Sequence, residues 1–387
     1  RFRQIERLQT LAVERRLGPR LGDRDMTATG FVCDERYFWV EQGPAVPLGR
    51  FDQPLEAWDS PEGKRRMLNL LDTSGLLAQL TPIPARMASE DELTRFHNAD
   101  YVARVKELSE GDGGSVGEQA VVTPGSYDIL ALAAGGCMAA VDGVLGGDVQ
   151  NAFAFVRPAG HHAERDRGRG FCIFGNTALA VMHACAGHGL GRVAVVDWDV
   201  HHGNGTQSAF YDNADVLTIS IHQDRRYPQD SGGMEETGAG DGVGANINVP
   251  LPAGSGHGAY VETVAEVVMP ALRAFQPELI VIASGFDANG FDPLGRMMCH
   301  SETYREMTVA IMGLAGDVCE GRLVVCQEGG YSPGYMPYCC LAVVETLSGI
   351  RTEVEDVRGA HLAGVAGQEL QAHQADVIEA AAALLSA

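Results

Sequence analysis

Residues 192–206 read RVAVVDWDVHHGNGT and join a core strand to a cluster of charged and polar side chains. The run begins with β-branched and other apolar residues, which is typical of a strand buried on both faces. Two carboxylates and two imidazoles follow within six positions, at Asp197, Asp199, His201 and His202. Such groups lose their hydration at the end of a core strand unless they have partners. The stretch therefore predicts a buried functional site where this strand ends.

Five other short apolar runs have the same character. They are TGFVC (29–33), AFAFV (152–156), VLTISIH (216–222), LIVIASG (279–285) and RLVVCQ (322–327). Segments with helical spacing separate most of them, at 126–145, 174–188, 258–275 and 301–319. Strands that alternate with helices form a mainly parallel sheet covered by helices on both faces. The predicted fold class is therefore α/β.

Residues 29–387 are predicted to form one domain, because no internal repeat or low-complexity linker interrupts them. Residues 1–28 precede the first predicted strand and are rich in arginine. Two interpretations of this extension stay open. It consists either of residues added upstream of the natural start or of a weakly amphipathic helix through Ile5, Leu8 and Leu11 that takes part in oligomer contacts.

The composition indicates a large core and an acidic surface. The 387 residues are 45% hydrophobic, and the formal net charge is −22 with a pI of about 4.9. This balance argues against nucleic acid as a partner, because phosphate-binding surfaces need clustered Lys and Arg. The acidity either favours a cationic substrate or only keeps the protein soluble.

The cysteines and the hydropathy pattern favour a cytoplasmic protein. Nine cysteines form no CxxC pair, and Cys339 and Cys340 are adjacent, which suits neither a disulfide framework nor a cysteine zinc site. We therefore expect reduced thiols. The sequence has no signal-peptide pattern and no apolar stretch near about 18 residues, so we expect no membrane association.

Polar residues follow four of the predicted strands. The segments are RPAGHHAE (157–164), DVHHGNG (199–205), FDAN (286–289) and EGGYSP (328–333). In parallel sheets, ligands bind outside the carboxyl ends of the strands. We therefore expect His, Asp and Tyr side chains from distant parts of the sequence to meet at one edge of the sheet.

Asp199, His201 and Asp287 are the predicted metal ligands. Asp197, Asp199 and His201 alternate along the chain, so their side chains share one face in an extended conformation. Two carboxylates beside an imidazole would repel each other unless a cation were present. Three protein ligands leave an open position for water, as in catalytic sites. Zinc fits this set, and Fe(II) or Co(II) could also occupy it. The simpler alternative is that the carboxylates cap turns and the histidines are only hydrogen-bonded.

Histidine and tyrosine side chains supply the remaining parts of a hydrolytic site. His161 and His162 are candidates for the base and the acid, because an imidazole can do both near neutral pH. Tyr331 can donate its O–H to an oxyanion that develops on the substrate. Together with a metal that polarises a carbonyl and activates water, these residues indicate hydrolysis of an amide.

Several of these motifs resemble those of one enzyme superfamily. RPAGHHAE, DWDVHHGNGTQ, SGFDAN, DPLG and EGGYS are similar to motifs of histone deacetylases and acetylpolyamine amidohydrolases. Within these motifs, the residue types at Trp198 and Asn204 resemble those of the class II branch and of bacterial deacetylase-like amidohydrolases. The likeness runs from about residue 29 to residue 350. It implies an arginase-like three-layer α/β fold and agrees with Asp199, His201 and Asp287 as the metal ligands.

The resemblance also implies roles for the residues around the two histidines. His161 would be oriented by Asp197, and His162 would face Asn204. Neutral Asn204 should stabilise an imidazolium less than the aspartate found in another branch. We therefore expect His162 to be the base and proton shuttle, with His161 tuning the charge.

Two further sites follow from the resemblance alone. The first is a potassium site, made by the side chains of Asp197 and Ser220 and by backbone carbonyls of Asp199, His201 and Ile221. The second is a substrate channel lined by Gly170, Phe171, Tyr227 and Leu294. Tyr227 stands where most members of the superfamily carry Phe, so a hydroxyl would enter a narrow tube.

The function predicted from the sequence is zinc-dependent hydrolysis of a linear amide, such as an acetylpolyamine, an acetyl-lysine side chain or another small N-alkyl or N-acyl amide. One alternative is a hydrolase of foreign small amides with little deacetylase activity, and another is a sensor that binds an acyl ligand without turnover. A binuclear manganese site would need further acidic ligands, whereas His202 follows His201. We expect a homodimer or homotetramer, in which the loop at 34–64 narrows the channel entrance of a neighbouring subunit. The loops at 34–64, 86–125 and 223–243 are expected to surround the channel.

Overall fold

The computed structural model describes residues 28–40 and 58–385 of the chain. The predicted helix through Ile5, Leu8 and Leu11 lies outside the described residues. So does the central part of the predicted 34–64 loop, residues 41–57. The described part of that segment contains a short 3-10 helix, Glu35–Trp39, and the start of the first long helix.

An eight-stranded sheet forms the centre of the molecule. The strands of the chain are β1 (Thr29–Val32), β2 (Thr81–Ile83), β3 (Gly114–Glu118), β4 (Ala120–Val122), β5 (Asn151–Ala154), β6 (Gly168–Arg169), β7 (Val193–Asp197), β8 (Val216–Gln223), β9 (Asn246–Leu251), β10 (Leu279–Ser284) and β11 (Leu323–Gln327). The order across the large sheet is β2-β1-β5-β11-β10-β7-β8-β9, and all its neighbouring strands are parallel. A smaller sheet has the order β4-β3-β6.

The helices connect the strands and cover the large sheet. They are α1 (Pro61–Thr73), α2 (Glu90–Leu93), α3 (Ala99–Glu110), α4 (Tyr127–Leu145), α5 (Asn176–His188), α6 (Asn204–Phe210), α7 (His257–Thr263), α8 (Met269–Phe275), α9 (Ser301–Val318), α10 (Met336–Ser348), α11 (Val357–Ala363) and α12 (Ala372–Leu384). A π-helical turn, Val264–Val268, joins α7 to α8. Shorter 3-10 helices occupy Leu77–Gln79 and Gly240–Gly242.

Strand β7 shows how one apolar run serves two cores. Val193 and Val195 pack into the core that contains α4 and α5, whereas Ala194 and Val196 pack into the core that contains α9 and α10. The alternation follows from the two-residue period of a strand. Both faces of the sheet are therefore buried, and the predicted three-layer α/β fold is confirmed.

Helix α4 corrects one prediction from the sequence. It has 19 residues with a mean hydropathy of 1.6 in its most apolar 18-residue window, enough by length and composition to cross a membrane. The expectation that no apolar stretch approaches this length is therefore wrong. In the fold, 78% of that window is buried, because the helix packs against the sheet and against α5. Its composition is that of a core helix.

The predicted loop at 86–125 is also wrong in part, because it contains α2, α3, β3 and β4. Two strands of the large sheet were missed by the apolar pattern. Both β2 and β9 contain a proline, Pro82 or Pro250, and both lie at an edge of the sheet. Edge strands tolerate proline because one side of the strand forms no ladder hydrogen bonds.

The strand order places the functional segments together. Strands β5, β11, β10 and β7 are consecutive neighbours in the sheet and run parallel. Their carboxyl ends therefore lie side by side at one edge. Each of the four polar segments predicted from the sequence leaves one of these strands at that edge.

Candidate active site

Asp199, His201 and Asp287 converge at the ends of β7 and β10. His201 Nδ1 lies 3.0 Å from Asp199 Oδ1 and 3.2 Å from Asp287 Oδ2. All three side chains are buried, and their three potential ligand atoms lie within 4.8 Å of one another. Asp287 Oδ2 has no hydrogen bond among the described residues. An unsatisfied carboxylate oxygen beside a second carboxylate and an imidazole fits a divalent cation.

Backbone donors fix how the two carboxylates point. Gly329 N–H donates to Asp199 Oδ2, and Val200 N–H donates to Asp287 Oδ1, each at 2.8 Å. The other oxygen of each carboxylate is thereby directed toward His201. Residue 329 must be glycine for this approach, since a Cβ there would lie 2.4 Å from Asp287 Oδ2.

The two carboxylates differ in their electrostatic environment. Burial and the Asp199 carboxylate raise the pKa of Asp287 above its ordinary value. Burial also opposes ionisation of Asp199, but the nearby His161 and His201 outweigh it and lower the pKa of Asp199. A bound cation would compensate the buried negative charge that the neighbouring residues leave unpaired.

The rings of His161 and His162 lie with their centroids 3.9 Å apart and their planes tilted by 40°, but the two side chains have different partners. His161 Nδ1 lies 2.9 Å from Asp197 Oδ2, and His162 Nδ1 lies 2.8 Å from Asn204 Oδ1. Burial alone would lower the pKa of His161, but the Asp199 and Asp197 carboxylates hold it well above the ordinary histidine value. Burial and the neighbouring His161 ring hold the pKa of His162 well below that value. The pair therefore favours one charged and one neutral imidazole.

Tyr331 lines the same pocket as His162 and His201. Its ring packs edge-on against Phe171 at 5.7 Å and against His201 at 6.3 Å between ring centroids. Its backbone N–H donates to Asp292 Oδ2 at 2.7 Å, which anchors the segment after β11. Burial, followed by the charges of Asp287 and Asp199, raises the pKa of Tyr331 well above its ordinary value. The phenol therefore stays protonated and can donate.

A pocket of about 220 Å³ opens above this cluster. All four predicted channel residues line it, and the full lining is Trp58, Gln119, His162, Gly170, Phe171, His201, Arg226, Tyr227, Leu294 and Tyr331. Gly170 has a φ of +50°, and a Cβ there would lie 2.4 Å from His162 Cδ2. Only glycine combines this conformation with so close a contact.

The residues of the predicted potassium site lie on β7 and β8 and in the turn after β7. Asp197 of β7 is paired in register with Ser220 of β8, and Ile221 follows on the same strand. Ser220 Oγ lies 2.9 Å from His222 Nδ1. Asp199 and His201 follow β7 directly, so all five predicted residues lie in or just after two adjacent strands.

Two buried carboxylates that support the site were not singled out from the sequence. Glu328 accepts hydrogen bonds from the N–H groups of Gly160 and His161, at 2.6 and 3.1 Å, and from the Thr177 hydroxyl at 2.8 Å. Asp292 holds Tyr331 as described. Both stand inside motifs that the sequence did single out, EGGYS and DPLG, so position within a motif was the available signal.

Three further pocket-lining residues belong to none of the quoted motifs but lie in loops that the sequence placed around the channel. Trp58 lies in the 34–64 segment, Gln119 in the 86–125 segment and Arg226 in the 223–243 segment. Their side chains reach the pocket only through the folded path of those segments.

Comparison with known proteins agrees with this geometry. A model of the histone deacetylase domain matches residues 58–347. A histone deacetylase-like amidohydrolase of Pseudomonas aeruginosa is 50% identical over 334 residues, covering 85% of this chain and 88% of that protein. A probable deacetylase of Archaeoglobus fulgidus is 35% identical, covering 83% of this chain and 86% of that protein.

Two further relatives extend the comparison. The human polyamine deacetylase HDAC10 is 36% identical over 310 residues, covering 77% of this chain and 46% of that protein. The crystal structure of the HDA15 HD domain superposes with a TM-score of 0.78 at 30% identity, covering 92% of this chain and 96% of the other. The chain therefore belongs to the histone deacetylase family, whose members are hydrolases of carbon–nitrogen bonds in amides.

Proposed function

We propose that this protein is a zinc-dependent amidohydrolase that cleaves a linear N-acyl amine, such as an acetylpolyamine or an acetyl-lysine side chain. One observation carries the proposal. Asp199, His201 and Asp287 converge beneath a pocket that His162 and Tyr331 also line or border. A cation-binding group, a base and an O–H donor around one cavity are the parts that amide hydrolysis requires.

The donor set supports zinc as the ion. One imidazole nitrogen and two carboxylate oxygens are accepted zinc ligands, and three protein ligands leave a position open. An ion held there would polarise the scissile carbonyl and lower the pKa of a coordinated water. The unsatisfied Asp287 Oδ2 is the atom that most needs such a partner.

His162 is suited to accept the proton of the attacking water. Asn204 Nδ2 donates to Glu164 Oε1 at 2.8 Å, which orients the amide so that Asn204 Oδ1 faces His162 Nδ1. An amide oxygen only accepts, so Nδ1 carries the proton and Nε2 keeps its lone pair. His162 lines the pocket, whereas His161 lies behind it against Asp197. We assign His162 as the base and later proton donor, and His161 as the residue that tunes its charge.

Tyr331 supplies the hydrogen bond that the substrate oxygen needs as its negative charge develops. The phenol borders the pocket next to His201. Its segment is held by Asp292, so the donor is oriented before the substrate binds. Such preorganised donors stabilise the transition state more than the ground state.

We also propose a structural potassium ion held by residues of β7, of β8 and of the turn after β7. Asp197 and Ser220 are register partners there, and the backbone carbonyls of Asp199, His201 and Ile221 complete the proposed oxygen set. An ion at this position would hold the end of β7, and with it Asp199 and His201, in place.

The pocket walls favour a slim substrate. Phe171 and Tyr227 line a cavity of only about 220 Å³, which suits an alkyl chain that ends in an acyl group. A second candidate substrate class, foreign small amides, is favoured by Tyr227. Its hydroxyl is buried without a well-formed hydrogen bond among the described residues, although the Arg169 guanidinium lies 5.8 Å from its ring centre. A substrate with a polar atom inside the channel would pair with it.

Hydrolysis of a mixed amide panel tests the proposal. Zinc-loaded and chelator-treated protein would be incubated with acetylpolyamines, acetyl-lysine peptides and small N-alkyl amides, and released amines would be read by mass spectrometry. We expect turnover that depends on zinc and disappears in Asp287→Ala. Turnover of small foreign amides alone would favour the second substrate class. Silence across the panel would contradict the proposal and favour an acyl-binding sensor.

A further inference from the structure

A second cluster of metal-binding side chains lies on the helices that cover one face of the sheet. Asp142 of α4 and His183 and His188 of α5 bring three potential ligand atoms within 4.8 Å of one another. His183 Nε2 lies 2.6 Å and His188 Nε2 lies 2.8 Å from the same oxygen, Asp142 Oδ1. None of the three belongs to the pocket or to the residues that support it.

The cluster is far from the catalytic centre in the topology. Helix α4 ends just before β5 begins, and α5 ends just before β7 begins. Both helix ends therefore lie at the edge of the sheet where strands start. The catalytic pocket lies at the opposite edge, where the same strands end.

We propose that Asp142, His183 and His188 form a second, structural site for a divalent transition-metal ion such as Zn²⁺. Two imidazoles and one carboxylate are a donor set that zinc accepts. Tetrahedral zinc bonds of about 2.0–2.1 Å place ligand atoms about 3.3 Å apart, so the two Nε2 atoms, at 2.6 and 2.8 Å, need to move only about 0.5–0.7 Å away from Oδ1. His188 has 27% of its side chain exposed, which leaves a route for the ion and a position for water.

The surroundings of the cluster favour a cation at this place. His188 occupies the last turn of α5, which ends at Gly189 in a left-handed conformation. The unsatisfied carbonyls at the carboxyl end of a helix attract positive charge. Arg86 already pairs with both oxygens of Glu92, at 2.9 and 3.0 Å, so it approaches Asp142 only at 3.5 Å through Nε.

The nearby side chains can also orient the first histidine. Arg95 NH1 lies 3.3 Å from His183 Nδ1, and Glu92 Oε1 lies 3.7 Å from the same atom. Metal binding through Nε2 moves the ring proton to Nδ1, where Glu92 can accept it once the exposed Arg95 swings away. Carboxylate partners of this kind orient metal-bound histidines and raise their basicity.

Counting bound zinc in the full chain tests this inference. Protein stripped by a chelator would be reloaded with Zn²⁺, passed through gel filtration, and analysed for metal per chain. His188→Gln is the principal variant, because glutamine can still donate to Asp142 Oδ1 but lacks the imidazole lone pair. His373→Gln, an exposed histidine on α12, is the matched control.

We expect His188→Gln to lose one ion per chain, whereas His373→Gln loses none and both retain amidase activity within about twofold. The same loss should occur in an Asp287→Ala background, where Co²⁺ loading would report the second site by its visible absorption. The loss of one ion per chain in His188→Gln does not depend on whether the catalytic metal is bound. A failure of this inference can therefore be told apart from a failure of the proposed function. An equal metal content with and without His188→Gln would overturn the inference and leave the cluster as a hydrogen-bonded link between α4 and α5.

Discussion

Replacing Tyr331 with phenylalanine removes one oxygen atom and leaves the rest of the site in place. The ring contacts to Phe171 and His201, at 5.7 and 6.3 Å between centroids, do not involve the hydroxyl. The backbone stays anchored, because the bond from Tyr331 N–H to Asp292 Oδ2 is independent of the side chain. We therefore expect Tyr331→Phe to fold normally and to bind zinc as the unmodified protein does.

The expected effect on catalysis is large and specific. Removing one oxyanion donor costs about 2.7–4 kcal/mol of transition-state stabilisation, which corresponds to about a 10²- to 10³-fold loss of kcat. The donor acts mainly on charge that develops during the reaction. KM should therefore change little, whereas kcat and kcat/KM fall together.

The assay combines steady-state kinetics with a metal count. Amine release by the Tyr331→Phe variant would be followed by mass spectrometry, and zinc per chain would be measured on the same sample. Tyr338→Phe is the matched control, since this tyrosine stacks on Tyr335 outside the pocket. A kcat within about threefold of the unmodified protein, or a loss of zinc in Tyr331→Phe, would refute the assigned role.

Three further predictions concern the pocket walls and the base. Gly170→Ala would place a Cβ 2.4 Å from His162 Cδ2, and a displacement of about 1 Å costs roughly 10²-fold. We expect Gly170→Ala to lower kcat/KM by roughly 10²-fold while its zinc content stays unchanged. A kcat/KM within about tenfold of that of the unmodified protein would contradict this prediction. Asn204→Asp puts a carboxylate 2.8 Å from His162 Nδ1, and this negative charge raises the pKa of His162. Because the base must be neutral, the acid limb of the kcat/KM profile should move to higher pH, and an unmoved limb would count against His162. Tyr227→Phe should raise turnover of acetyl-lysine peptides relative to small polar amides, and an unchanged ratio would exclude the hydroxyl as a selectivity element.

The strands that build the site were predictable because burial on both faces leaves a strong pattern. Val193 to Val196 could be assigned from their apolar character alone, and so could the strand before Asp287. Parallel pairing then fixes at which edge the polar residues emerge. The contact between Asp199, His201 and Asp287 follows from those two facts, since β7 and β10 are neighbours in the sheet.

Other parts of the fold left no comparable pattern. Pro82 and Pro250 interrupt strands at the edges, where pairing on one side suffices. Glu328 is buried because it accepts three hydrogen bonds from residues that are distant in sequence, and only the folded chain brings those donors together. The packing of Trp58 into the pocket likewise depends on tertiary structure.

The residues proposed to carry the reaction lie at strand ends, whereas several residues that shape the channel lie in connecting segments. Asp199 and Asp287 follow strands that are paired on both sides, so they move only if the sheet itself is disrupted. Gln119 has a φ of +53°, and Arg225, which precedes Arg226, has a φ of +48°. These conformations belong to turns outside the large sheet. Substitutions at such turns can reshape the channel while the metal ligands stay in place. Because of this arrangement, members of the family can share one hydrolytic reaction and still differ in the amide that reaches it.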